Sequence, residues 1–173
     1  LGSAVGSALR ECGVGDQVVV VDDGSTDRPQ DVLPADPRVT FLDQPPLGIV
    51  AALEHGRKHC KHPFIARLDA DDVAMPGRIQ AQLRAMDSEP RLAVVGGRAE
   101  LFCDEQPVPE GMAYYVDWVN GLEDLHREIL VESPLFHPAV LIRSSALEAV
   151  GGYRDGDLPE DYELWLRFEQ SGF

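Results

Sequence analysis

Val18-Val19-Val20-Val21-Asp22-Asp23-Gly24-Ser25-Thr26-Asp27 is the stretch that decides how the rest of the chain is read. Four β-branched residues in a row suit a strand buried on both faces, as in a parallel sheet. The acidic run after them is turn chemistry, because short Asp and Ser side chains bond the local backbone and Gly accepts left-handed geometry. Phe64 to Leu68 is a second strand pattern with a similar stop, Asp69-Ala70-Asp71-Asp72. Ligands of open α/β sheets bind beyond the carboxyl ends of the strands. Two acidic strand ends can therefore bring several carboxylates to one crevice. Crowded carboxylates repel, and a hard cation such as Mn²⁺ or Mg²⁺, sharing phosphate oxygens, relieves that repulsion. One Asp-x-Asp after a strand is more often only a turn. Two such ends in one chain point to a metal and a phosphate-bearing ligand.

Around these strands the chain alternates strand and helix patterns, which predicts an α/β fold with crossover helices. Val5, Ala8, Leu9 and Cys12 have helical spacing. Val39 to Leu42 is a strand, followed by a helix from about 49 to 60 with Ile49, Ala52, Leu53 and Gly56 on one face. Pro76 suits the first turn of a helix whose buried stripe is Ile79, Leu83 and Met86. Leu92 to Val95 is a strand closed by Gly96-Gly97, and 102–110 is a Pro- and acid-rich loop. Val116, Val119, Leu122, Leu125 and Ile129 predict one helix, and Ala139 to Ile142 a strand. Ser145 with Glu148 has capping-box spacing, and Gly151-Gly152 ends that short helix. The last helix starts near Pro159, with Leu164, Leu166 and Phe168 in the core.

The 173 residues suffice for one domain with one core. Lys and Arg number 15 and Asp and Glu 30, a net charge of −15. That excludes a general nucleic-acid binder, but not a nucleotide paired with a metal. Three scattered cysteines, Cys12, Cys60 and Cys103, make no disulfide framework and suit a reducing compartment. No apolar run approaches the roughly 20 residues of a membrane helix.

Three stretches together resemble the family 2, GT-A-type glycosyltransferases. The first is the Val18–Asp27 strand and acidic turn. The second runs from Leu47-Gly48 through Arg67-Leu68-Asp69-Ala70-Asp71-Asp72 to Pro76-Gly77-Arg78 and Gln82. The third is His137-Pro138-Ala139-Val140, then Gly151-Gly152-Tyr153 and Glu160-Asp161-Tyr162-Glu163-Leu164-Trp165. The resemblance implies a Rossmann-like GT-A domain, a mostly parallel sheet flanked by helices. It further implies a strand upstream of Leu1 and a lid and acceptor segment beyond Phe173, so that residues 1–173 read as a domain truncated at both ends. The implied reaction is metal-dependent and inverting, from a nucleotide-diphosphate sugar, UDP-linked by resemblance, to a glycan, lipid-linked or protein acceptor. The implied setting is the cytoplasm, with contact at the inner membrane face allowed.

Residue by residue, the resemblance assigns Asp23 to the nucleotide base and Asp22 to the turn or the ribose. Gly48 heads the helix on the donor side. Asp69 meets the ribose, Asp71 ligates the metal, and Arg67 orients a carboxylate or forms a salt bridge. His137 contacts the metal or the diphosphate, or is a structural turn histidine. Asp161 is the base that deprotonates the acceptor, with Glu160 beside it as a positioning group or acceptor contact. Asp157 and Glu160 also have capping-box spacing, a purely structural alternative. Tyr162 and Trp165 read as packed rather than sugar-stacking. Glu54 stands where many relatives have Asn. The His55, His59, Cys60 and His62 cluster has zinc-like spacing, but it shares its segment with Lys58 and Lys61 and reads as a solvated face. Three rival readings remain: a haloacid-dehalogenase-type phosphohydrolase with Asp69 as nucleophile, a sugar-nucleotide pyrophosphorylase, and a non-catalytic nucleotide-sugar-binding module.

Overall fold

The computed structural model describes residues 1–103 and 107–173, so 104–106 of the expected 102–110 loop lie outside the described residues. In chain order the first elements are α1 (Gly2–Glu11), β1 (Val18–Asp22), β2 (Val39–Asp43), α2 (Ile49–His59), β3 (Phe64–Ala66) and α3 (Arg78–Ser88). Then come β4 (Val94–Val95), α4 (Glu110–Asn120), α5 (Leu125–Glu128), β5 (Leu141–Arg143), α6 (Ser144–Ala149) and α7 (Glu160–Gln170). Short 3-10 turns occupy Pro29–Val32 and His137–Ala139.

Helices flank two sheets. β1 and β2 pair in parallel, with Val18 opposite Val39 and Asp22 opposite Asp43. β5 lies between β3 and β4 and runs antiparallel to both, so β3 and β4 point the same way. An open trench of about 560 Å³ separates the sheets, with Val18–Val21 on one wall and Phe64–Leu68 on the other. The ladder bonds Val18 N–H to Arg38 O and Gln44 N–H to Asp22 O, which turns the backbone groups of Val19 and Val21 to the trench. On the other wall, Arg67 N–H to Val140 O and Ser144 N–H to Pro63 O leave Phe64 and Ala66 facing it. This explains why the Val18–Val21 run, expected to be buried on both faces, is only half-buried.

The core belongs to the second sheet. Val140, Ile142, Leu147, Leu164, Trp165 and Phe168 are its centre, each at most 3% exposed. Fully burying one such side chain contributes about 1.5–3 kcal/mol. On α7 the buried stripe is Leu164, Trp165 and Phe168, with Leu166 only partly covered, so the register is shifted from the expected Leu166.

Other local expectations change for stated reasons. The helix expected from Val116 to Ile129 is two helices, because α4 ends at Gly121 and Asp124 accepts Arg127 N–H to start α5. The strands at 64–68 and 92–95 are shorter than their apolar runs because β5 offers only a few pairing residues. The strand expected at Ala139 begins at Leu141, since His137–Ala139 is a 3-10 turn with Pro138 near its start. Neither capping box forms. α6 follows Arg143 and α7 follows Pro159 with no side-chain cap, which puts Ser145 inside α6 rather than at its cap.

Candidate active site

The acidic turn after β1 is locked to the loop before α2. Asp22 Oδ1 accepts Ser25 N–H at 2.9 Å, closing an Asx turn. Gly24 has φ +80°, and a Cβ there would meet Pro46 at 2.7 Å, so only glycine fits. Asp23 Oδ1 accepts from Gln44 Nε2 at 2.7 Å and Leu47 N–H at 2.9 Å, while Oδ2 accepts Gly48 N–H at 2.8 Å. The Gln44 bond first, then these amides, hold its carboxyl below the usual range. Gly48, at φ +92°, caps α2, so it serves the site through its backbone. Gln44 in turn meets His55 Nδ1 at 2.9 Å. His55, the zinc-like lead of the sequence, thus has a task inside this clasp.

The second acidic end is braced from three sides. Ser7 Oγ, fully buried, accepts Ala74 N–H at 2.9 Å. Glu11 accepts Gly77 N–H at 3.0 Å and Ile79 N–H at 3.2 Å, capping α3. Arg78 Nη2 donates to Arg67 O at 2.8 Å and Val140 O at 3.1 Å, and Gln82 Nε2 reaches Val95 O and Ala139 O. Arg78 and Gln82, quoted for their motif alone, therefore stitch three strand ends together. Arg67 forms an ion pair with Asp69. That pair is made by its buried Nη1 and Asp69 Oδ1, so the Asp69 carboxylate takes up the buried charge. Burial first, then the charges of Asp69 and Asp71, push the Asp72 carboxyl up. That crowding is what a divalent cation relieves, and Asp71 with Asp69 or Asp72 could hold one. Among the described residues no three His, Cys, Asp or Glu groups converge into a ready cage. A cation here would draw its remaining ligands from phosphate and water.

The third group surrounds the start of α7. Asp161 Oδ2 accepts from Ser133 Oγ at 3.3 Å, and Oδ1 meets its neighbour's Tyr162 N–H at 2.7 Å. His137 is 7% exposed, with Nε2 3.1 Å from Tyr153 Oη and Nδ1 3.3 Å from Glu160 Oε1. Burial, then the Arg67 charge, lowers its pKa to about 3. With Nε2 bonded to Tyr153, His137 could bind a metal through that nitrogen only by giving up its partner. Trp165 packs edge-on against it, centroids 5.9 Å apart, as expected of a packed rather than sugar-stacking ring. Glu54 pairs with Arg57 one helical turn on and accepts Tyr153 N–H at 2.8 Å, a partner no local pattern reports. Arg67 links the sets, touching Asp69 and bearing electrostatically on His137 and Tyr153. From Asp72 a groove of about 880 Å³ runs past Met112, Tyr115 and Phe136.

The family described as Glycosyl transferase family 2 matches residues 1–151. The amylovoran biosynthesis glycosyltransferase AmsE of Erwinia amylovora is 32% identical over 126 residues, covering 73% of this chain and 46% of the relative. The UDP-Gal:alpha-D-GlcNAc-diphosphoundecaprenol beta-1,3-galactosyltransferase of Escherichia coli is 28% identical, covering 99% of this chain and 63% of the relative. The chain thus spans about half to two thirds of these relatives' length. In structure it is similar to the mannosyltransferase PcManGT of Pyrobaculum calidifontis, solved with GDP-Man and Mn²⁺. The TM-score is 0.66 at 18% identity, over 91% of this chain and 44% of that one, a likeness of fold.

Proposed function

The chain belongs to glycosyl transferase family 2, and from that premise we propose that it moves a sugar from a nucleoside-diphosphate sugar to an acceptor hydroxyl with inversion. Membership sets aside the phosphohydrolase and pyrophosphorylase readings. One observation supports the proposal: Arg67, ion-paired with Asp69 on the donor side, is close enough for its charge to act on His137, which lies 3.3 Å from Glu160 at the head of α7.

In this reading the Asp22–Asp23 turn and Gly48 shape the nucleoside pocket, with Asp23 using lone pairs left over from its clasp. Asp69 meets the ribose. Asp71 holds Mn²⁺ or Mg²⁺, which when bound supplies neutralising charge for the departing diphosphate. Arg67, ion-paired through Nη1 with Asp69, holds that carboxylate on the donor side. Asp161 takes the acceptor hydroxyl's proton as that oxygen bonds the anomeric carbon. The carbon–phosphate-oxygen bond breaks, and the nucleoside diphosphate leaves with the electron pair. UDP is the proposed carrier, on the resemblance and on the Escherichia coli relative's UDP-Gal donor; the Pyrobaculum protein holds GDP-Man. The proposed acceptor is a glycan, lipid-linked or protein hydroxyl, and the groove beside Asp72 offers it room. Among the described residues no helix is long and apolar enough to cross a membrane.

Calorimetric titration with UDP tests this directly. Binding with Mn²⁺ that vanishes in EDTA is the expected result. Asp161→Asn should then cut transfer by about 10³-fold while UDP binding persists. An unchanged rate would leave a binding module.

A further inference from the structure

We propose that His55, acting through Gln44, is the positioning residue that leaves the Asp23 carboxylate one open acceptor site, so that the donor's base is uracil, with its single ring N–H, rather than guanine, with two adjacent donors. This rests on the nucleoside-diphosphate-sugar reading, with Asp23 in the nucleoside pocket. An ionised carboxylate accepts about four hydrogen bonds, shared between its two oxygens. Asp23 Oδ1 takes two, from Gln44 Nε2 at 2.7 Å and Leu47 N–H at 2.9 Å. Oδ2 takes one, from Gly48 N–H at 2.8 Å. One site is left, on Oδ2, and Asp23 is only half-buried, so a ligand can reach it. A guanine edge offers a ring N–H and an amino N–H side by side, and a carboxylate takes both only with both oxygens free. Here the second donor finds Oδ1 already filled.

The Gln44 amide helps fill Oδ1, and His55 sets its direction. A carboxylate only accepts, so the amide nitrogen faces Asp23 and Gln44 Oε1 faces His55 Nδ1, 2.9 Å away. An amide oxygen also only accepts, so His55 Nδ1 carries the proton and donates. Were the amide turned over, its oxygen would face the carboxylate and its NH2 group would face Nδ1–H, and both bonds would be lost together. The Gln44 backbone is fixed as well, its N–H donating to Asp22 O at 3.0 Å where the β1–β2 ladder ends. His59, one turn further along α2, sets its ring edge-on to His55, with centroids 5.1 Å apart and planes at 69°. Gly24 brings the acidic turn against Pro46, where no Cβ fits. The ends of β1 and β2 and the middle of α2 thus converge on one carboxylate and decide how much of it a base can use.

Calorimetry with UDP and with GDP, each in the presence of Mn²⁺, reads the choice of base. UDP should bind about tenfold more tightly or better, since guanine leaves a donor unpaired. Gln44→Ala frees Oδ1 and His55→Leu frees the amide to turn, so each should shrink that ratio to about threefold or less. His55→Asn, whose amide nitrogen can stand near the place of Nδ1, should restore it. Nitrogen-15 NMR of the histidine-labelled protein should show His55 protonated on Nδ1, with its resonance shifted in Gln44→Ala. GDP binding as tightly as UDP, a ratio unchanged in either Gln44→Ala or His55→Leu, or a His55 protonated on Nε2 alone overturns the proposal. If neither nucleotide binds the unmodified protein, the donor reading itself fails and the choice of base with it, whereas equal binding of the two sinks the choice alone.

Discussion

The residues up to Cys60 and those from Phe64 onward use the same kinds of element but hold together by different means. Among the described residues of the first region, only Ala4, Val5 and Ser7 are fully buried. Its order comes from polar clasps: Asp23 on the loop before α2, Gln44 on His55, and Arg38 donating to Leu9 O and Cys12 O at the end of α1. The second region surrounds Trp165, Leu164 and Ile142 with apolar neighbours. Packing is non-directional and adds up over area, whereas a clasp fixes one geometry and contributes little net free energy. The donor-side carboxylates thus sit on a precise but lightly held frame, and the α7 carboxylates on a rigid one.

The largest expected effect is Trp165→Ala, which should cost about 3–5 kcal/mol, whereas Val20→Ala beside the trench should cost about 1 kcal/mol. Urea midpoints measure both, and equal losses would break the contrast. Acid comes next. His137 has its folded pKa lowered to about 3, so the unfolded chain binds its proton first, from about pH 6.5 downward. Stability from this group is whole above that value and falls, by at most about 1.4 kcal/mol per pH unit, until pH nears 3. Asp36, hydrogen-bonded by Arg38, has its pKa lowered to about 2. Its contribution is present above the unfolded value near 3.8 and is lost as pH falls towards 2. Near-ultraviolet circular dichroism, dominated by the tryptophans, should therefore change before the α1 clasp opens. The smallest effect is Arg38→Ala. It should speed amide exchange in the last turn of α1 severalfold with little change in the global midpoint, and a large midpoint shift would mean that the clasp carries the region.

What the sequence disclosed follows the same division. The acidic turns, the helix stripes and the alternation of elements were legible because each depends on residues within a turn or two. The valine run promised a fully enclosed strand, yet burial depends on what lies across the trench, which no local pattern reports. The partners of Asp23 lie 21 to 25 residues away, and the Tyr153 N–H that Glu54 accepts lies 99 away. Spacing could therefore mark these carboxylates as candidates, but could not show that Asp23 is already bonded three times or that Glu54 braces a distant turn. The break at Gly121 was written locally, and the regular apolar spacing outweighed it.

The trench makes the isolated chain adhesive. Two backbone edges with open donors and acceptors face each other across a largely apolar slot, and such edges recruit strands from other chains. A visiting strand from another molecule would gain a ladder on each side, so self-association should climb steeply with concentration. Light scattering across a dilution series should record it. A short β-forming peptide with charged ends, added in excess, should suppress it by occupying the slot first.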